Sequence, residues 1–464
     1  MIEFIKSEKP ELSFEQELKK FLSSGSRAHC FALKYNFIQT YLPGNPAVAL
    51  LAVVFVEKSQ QSSGAVLQVF ISDDLSLEAE IATSNFDLNS MRQYCADKGL
   101  ACLNLNRPLR LDVVKISKPW GQEIWYTGIE ARGQSCVIDD FGNSLPLPWL
   151  FSLASETLLA RHKNLILLKI LDPLPEPVFG DLYFELHEEK REVYVVTNVD
   201  AQAWPNGKGG IRFGFDQVKR RSYANDEAFK AGYVSSVNEY RVVREAIDAQ
   251  IDGIKQKNNI ALDAPLNCDT LKNWLAEIST ELREDEKVLR EEMESFIHVA
   301  PLSVGDVVKV PHLTPHSLLH GVRTIEFQTP VYERKILSFA QKVLTQQHWD
   351  TEEAIKNVEL DTKALASLTT KLESDSATIE EIVSFDDFIV DRITLKDDAV
   401  FNYVCDSSNY HLVVGVSGLC SIDGAELGAE NAVLIAAGSS EIQLRKLENN
   451  SKQALAIILI ARPR

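Results

Sequence analysis

Apolar and polar positions repeat along this chain with two different periods. In "SFEQELKKFLSSG", Phe14, Leu18 and Phe21 fall on one helical face behind Ser13, a candidate cap. The apolar runs 47–56 and 66–72 read as strands. "DLNSMRQYCADKGL" predicts a second helix, with Asp87 or Asn89 as its cap and Gly99 as its stop. Residues 1–112 therefore predict an α+β domain, and no motif in it carries chemistry. Its apolar run "PAVALLAVVFV" is far shorter than the roughly 20 residues that a bilayer crossing needs, so it predicts a buried strand.

From "SKPWGQEIWYTG" onward the pattern shortens to β-like runs at 121–128, 133–138, 165–171, 181–187, 192–198 and 211–214, punctuated by Gly, Pro and Asp. Many short strands with turn signals predict a sandwich or barrel. Residues 216–298 turn helical. "DTLKNWLAEISTELREDEKVLREEMESF" carries one apolar stripe from Leu271 through Ile278 and Leu282 to Phe296, beside a solvated charged face. Strands resume at 304–330, "SFAQKVLTQQHWDTEEAIKNVEL" reads as helical, and 383–464 predicts a second small barrel. The fold class is mainly β with α insertions. Its expected domains are 1–112, one barrel from 113–215 with 299–345, a helical insertion at 216–298, a helical connector at 346–382, and a C-terminal barrel at 383–464.

Charge narrows the partners. A net charge of −18 over 464 residues argues against nucleic acid or an anionic membrane as a partner, and an anionic substrate would need lysine or arginine supplied locally. Seven scattered cysteines without a C-x-x-C pair argue against a disulfide framework and a cysteine zinc site. The N-terminal stretch "MIEFIKSEKPELSF" is charged throughout and lacks a secretory apolar core, so a cytoplasmic monomer or homodimer is expected.

Chemistry concentrates in two segments. "VPHLTPHSLLHGVRTIEFQTP" spaces His312, His316 and His320 by four, but Pro311 and Pro315 exclude a helix there. Flanking alternation makes the segment a strand, turn, strand corner, where at most one or two of the three histidines point inward. In "GDLYFELHEEKREVYVV", Glu185 and His187 are two apart on one strand face, and Glu192 opens the next β run. "NGKGG" at 206–210 lacks phosphate-loop spacing and reads as a turn.

These segments resemble the two motifs of the cupin superfamily: Gly180, Glu185-x-His187 and Glu192 in the first, Gly305, Pro311 and His316 in the second. With "KPWGQEIWY", "LLKILD", "KREVYVV" and "TPHSLLHGVRTIEFQTP", residues 118–464 are similar to type I mannose-6-phosphate isomerases. The resemblance implies two cupin jelly-roll barrels and a metal held by Glu185, His187, Glu192 and His316. Zn2+ is the expected ion, one per chain, with Mn2+ or Fe2+ as alternatives. It further implies catalytic roles for Arg334, Glu326 and Lys190, and contacts from Lys169, Lys190 and Trp120 to a small-molecule sugar phosphate. The implied reaction interconverts mannose 6-phosphate and fructose 6-phosphate through an enediolate. His312 rivals Glu326 for acid–base work; His162, His298, His320 and His348 stand outside the ligand set.

The sequence departs from that family in three places. Glu185 stands where the isomerases have Gln, Leu313 stands where the cupin motif has Gly, and only Glu188 to Arg191 separate His187 from Glu192, where the family has a longer loop. These departures keep two other readings open: another metal cupin enzyme on a related sugar, such as an epimerase or oxygenase, or a non-catalytic sugar-binding protein.

Overall fold

The computed structural model describes residues 2–58, 65–264, 266–342, 349–362, 364–365, 367–447 and 455–464. Strands dominate, and the chain divides into two compact units. One gathers residues 1–114, 125–168 and 368–464; the other holds 115–124 and 169–367.

In the first unit a five-stranded sheet runs in the order Glu3–Lys6, Ala28–Ile38, Ala47–Lys58, Ala65–Ser72 and Leu103–Asn104. The helix Leu88–Lys98 begins on a capping box between Asp87 and Ser90, and ends at Gly99 in the left-handed conformation. The first helix differs from expectation. It spans Pro10–Ser23, with Pro10 in its first turn, so Ser13 is interior and bonds Ser7 instead of capping. Strand Ala28–Ile38 escaped the sequence reading because charged and polar residues, His29, Lys34 and Asn36, interrupt its apolar positions.

The boundary expected at 112 is also redrawn. Strand Leu109–Asp112 pairs with Ala432–Ile435 in a nine-stranded sheet of C-terminal strands, and Cys136–Ile138 and Ser144–Pro146 continue that sheet. Residues 125–168 thus group with the two ends of the chain and not with residues 169–215.

The second unit is built on two sheets. The six-stranded one runs Val307–Val310, Glu192–Val199, Val322–Gln328, Leu167–Pro173, Gly121–Trp125, Val114–Lys118. The five-stranded one runs Ile297–Leu302, Gly209–Phe215, His316–Leu318, Phe184–Leu186, Lys335–Ser338. Tyr194, Val196, Val308 and Val310 of the first meet Ile211, Phe213, Leu318 and Ile336 of the second in one buried core. Alternation sends Phe184 and Leu186 to the opposite face, where Phe229, Tyr233, Val237 and Tyr240 of helix Asp226–Lys257 cover them. Phe215 joins that outer cluster although Ile211 and Phe213 face inward, because the register shifts after Arg212 and Gly214 adopts a φ of 78°.

The helical insertion leaves and re-enters the five-stranded sheet at adjacent positions. Phe215 is paired with Ile297, and the Asp216 amide donates to the Phe296 carbonyl at 2.8 Å. The stripe at 269–296 is two helices, Cys268–Glu277 and Thr280–Glu294: Ile278 is extended, and Ser279 caps the second helix through the Leu282 amide. The helix expected over 338–360 is shorter as well. Ser338 ends a strand, Thr351–Asn357 is helical, and 343–348, with His348, lies outside the described residues.

Candidate metal centre

Strand parity sets the site. Tyr183 packs in the core between the two sheets while Phe184 and Leu186 pack outward, so Glu185 and His187 take the inner side. Glu192 and Tyr194 share the inner face of the opposing sheet. His316 pairs with Glu185 on one side and Phe213 on the other, on the same face as the core residue Leu318. As a result, ligand atoms of His187, Glu192 and His316, all buried, lie within 4.8 Å of one another.

Their protonation suits a cation. The Nδ1 of His316 is 3.0 Å from the Thr314 carbonyl, which assigns its proton there and turns the Nε2 lone pair toward Oε2 of Glu192, 3.1 Å away. Burial, reinforced by Lys190, pushes the pKa of His187 down to about 4, and neither of its ring nitrogens has a hydrogen-bond partner. Burial works against the charge on Glu192, yet Lys190 at 2.8 Å, with His187 and His316, holds its carboxyl well below the usual range. The Tyr194 hydroxyl donates to the same carboxylate. The unpartnered His187 ring, the His316 Nε2 and the Glu192 carboxylate thus bring three ligand atoms to one buried spot. Two imidazoles and a carboxylate are a donor set that could hold a divalent cation such as Zn2+.

Glu185, expected as a fourth ligand, stands outside this triplet. Its Oε1 is 3.8 Å from His187 Nε2, while Oε2 faces the Arg334 guanidinium at 3.6 Å. Arg334 also lies over the Tyr183 ring, 4.7 Å from its centroid. The local attraction of a guanidinium draws the carboxylate away from the imidazoles. A neutral Gln would feel that attraction less.

On the six-stranded sheet, Lys169 lies 3.3 Å from Glu326, and both are buried. Burial raises the Glu326 pKa well above the carboxylate range, and Glu192 adds to the effect against Lys169; neither Glu326 oxygen receives a hydrogen bond. Burial works against the charge on Lys169, yet Glu123, with Glu192 and Glu185, raises its pKa above the usual range. Burial thus disfavours the charge on Glu326 even with a cation beside it. On its strand, Thr324, Glu326 and Gln328 sit opposite Val196, Tyr194 and Glu192. Thr324 Oγ1 and Gln328 Oε1 are buried without partners. So are Tyr183 Oη and Trp120 Nε1, both from the core between the two sheets. These atoms are unused hydrogen-bonding capacity inside the core. Trp120, expected at the substrate, is packed within the core among Leu171 and Tyr183.

The other histidines separate as the corner geometry requires. His320 stacks on Trp204 and bonds Asp181 at 2.7 Å, and His312 is half-buried with Nε2 unpartnered. Leu313, at the expected glycine position, has a φ of 60°, and its amide donates to the His187 carbonyl at 2.7 Å. The short Glu188–Arg191 connection is tied down by Glu333, whose carboxylate accepts from the Glu188 and Glu189 amides. Sequence reasoning missed Tyr194, Thr324, Gln328, Glu123 and Glu333. For the first three, parity with Glu192 and Glu326 was the available signal.

The class this architecture defines is that of the phosphomannose isomerase fold. A mannose 6-phosphate isomerase from Bacillus subtilis is similar at TM-score 0.52 and 12% identity, over 76% of this chain and 99% of that one. A zinc-bound mannose 6-phosphate isomerase matches at 0.52 and 13%, over 77% and 99%. The apo form of mannose 6-phosphate isomerase from Salmonella typhimurium matches at 0.51 and 13%, over 77% and 99%. At such identities the likeness is one of fold. No protein-family model matches the sequence, and no curated protein sequence matches it.

Proposed function

We propose that the protein is a metal-dependent aldose–ketose isomerase, interconverting mannose 6-phosphate and fructose 6-phosphate. The observation that carries this reading is the convergence of His187, Glu192 and His316 between the same two sheets as the buried pair Glu326 and Lys169, in which burial raises the Glu326 pKa.

His187, Glu192 and His316 would hold one Zn2+, with Mn2+ or Fe2+ as alternatives, and Glu185 at its edge. Such an ion supplies Lewis acidity toward the sugar's carbonyl and hydroxyl oxygens. Isomerisation moves a proton between C1 and C2 of the open-chain sugar, and negative charge develops on the intervening oxygens. Glu326 carries a transferable proton in a buried setting, and Lys169 beside it stabilises the carboxylate left after transfer. Lys190 orients Glu192 through their 2.8 Å contact. Arg334, 3.6 Å from Glu185, would share the developing charge or meet the phosphate.

The test is a proton NMR time course of metal-loaded protein with mannose 6-phosphate in heavy water. Fructose 6-phosphate carrying deuterium at C1 or C2, lost in His316→Ala, supports the reading. A stoichiometric cation without product under any of the three metals overturns it. The Glu185–Arg334 pair favours a second reading, a related metal-dependent reaction on another sugar. Glu185→Gln separates the two, because it raises isomerase turnover only if the first holds.

A further inference from the structure

A second cavity, of about 250 Å3, lies under the helical insertion and shares no lining residue with the metal centre. Its walls are largely apolar, with Phe179, Ile247, Ile251, Leu271 and Leu275 among them. Five cations line it against two carboxylates, in a chain whose net charge is −18.

Three of those cations are matched. Arg244 meets Asp248 at 2.7 Å, Arg290 meets Glu286 at 3.2 Å, and Lys342 meets Asp252 at 2.6 Å. The other two meet only neutral oxygens among the described residues. Lys255, 2% exposed, donates through Nζ to the Leu262 and Ala264 carbonyls at 2.9 and 2.8 Å. An ammonium has three N–H donors, so one remains. Arg283 donates to the Ile278 carbonyl and the Thr280 hydroxyl. Burying the Lys255 ammonium with no carboxylate bonded to it is costly, and an anion seated in the cavity would reduce that cost. Arg283 is exposed, so it offers charge to the same cavity without a burial cost of its own.

Size limits the ligand. An apolar cavity of ~150 Å3 holds benzene, so this one has room for a ring with a small substituent and one acidic group. We propose that the helical insertion binds an aromatic monoacid, a carboxylate or phosphate ester, with its ring among Ile247, Ile251 and Leu275 and its acid at Lys255 and Arg283.

Calorimetric titration of the metal-loaded full chain tests this with four matched probes: 4-ethylbenzoate, 4-ethylphenyl phosphate, 4-ethylbenzyl alcohol and 4-ethylbenzylammonium. One or both acids should bind at least tenfold more tightly than the alcohol, with the ammonium not bound. Lys255→Met should cost the acids at least tenfold and leave the alcohol within twofold; Lys255→Arg should restore the acids. Leu275→Trp, which fills the cavity, should abolish binding of every probe. Equal affinities across the series, no binding of either acid to the native protein, or acid binding that survives Leu275→Trp overturns the proposal. So does acid binding lost in His316→Ala, which would place the probe at the metal.

Discussion

Nε2 of His316 and Oε2 of Glu192 lie 3.1 Å apart although their strands belong to different sheets. The contact bridges the two sheets, so whatever occupies the space beside it ties them together. Metal binding should therefore register as stability. With Zn2+ at about a hundred times its Kd, the folded state should gain about 2.7 kcal/mol, and His316→Ala should abolish most of that gain. Urea denaturation with and without Zn2+ measures both quantities; an undiminished gain in the variant would move the metal elsewhere.

Glu326→Gln replaces a protonated carboxyl by a neutral group of the same shape. Turnover should fall by about 10²- to 10⁴-fold, while metal content and thermal midpoint stay close to those of the parent. Were Glu326 ionised in the folded protein, the same change would leave Lys169 buried and unpaired, costing about 3 kcal/mol or more. A melting curve therefore decides the protonation state independently of any assay.

Leu313 holds a left-handed backbone at a φ of 60° while its side chain packs against the cluster of Phe184, Phe215 and Tyr233. Leu313→Ala keeps the strain and loses the packing, whereas Leu313→Gly loses the packing and relieves the strain. The glycine variant should be the more stable of the two by about 1 kcal/mol in chemical denaturation. The reverse order would mean that the position exacts no backbone strain.

In the first unit, His411 is fully buried with both ring nitrogens unpartnered, and burial, aided by Arg462, lowers its pKa to about 4. Between that value and about 6.5, the unfolded chain binds a proton that the folded chain refuses. Its contribution is thus fully present above about pH 6.5 and is lost as pH falls toward 4. At pH 5 about 2 kcal/mol should be missing relative to pH 7. His411→Leu should flatten that part of the pH profile; an unchanged slope would assign it to other groups.

Legibility in the sequence followed how local each signal was. The strand carrying Glu192, the shared face of Glu185 and His187, and the Gly99 stop rest on neighbours within a few residues, and all three appear in the structure. The break at Ser279 was local too, but the apolar stripe runs through it in phase. The pairing of Leu111 with Ala432, the withdrawal of Glu185 toward Arg334 and the packing of Trp120 inside the core depend on segments far apart in the chain. No period in the sequence encodes them. Leu313 was visible as a departure, and only its dihedral angle shows that the site asks of leucine what glycine gives freely.

The Phe215 to Ile297 pairing also makes the helical insertion, topologically, an overgrown hairpin loop. Because its two ends meet at one rung of a sheet, its length is nearly free to change: doubling a flexible loop costs only about 0.6 kcal/mol in closure entropy. What cannot change freely is the patch made by Phe184, Leu186 and Phe215, which some part of any such loop must shelter from water. A lineage could thus rewrite almost everything between residues 216 and 296, and acquire or discard a ligand cavity there, while passing the metal centre on unaltered.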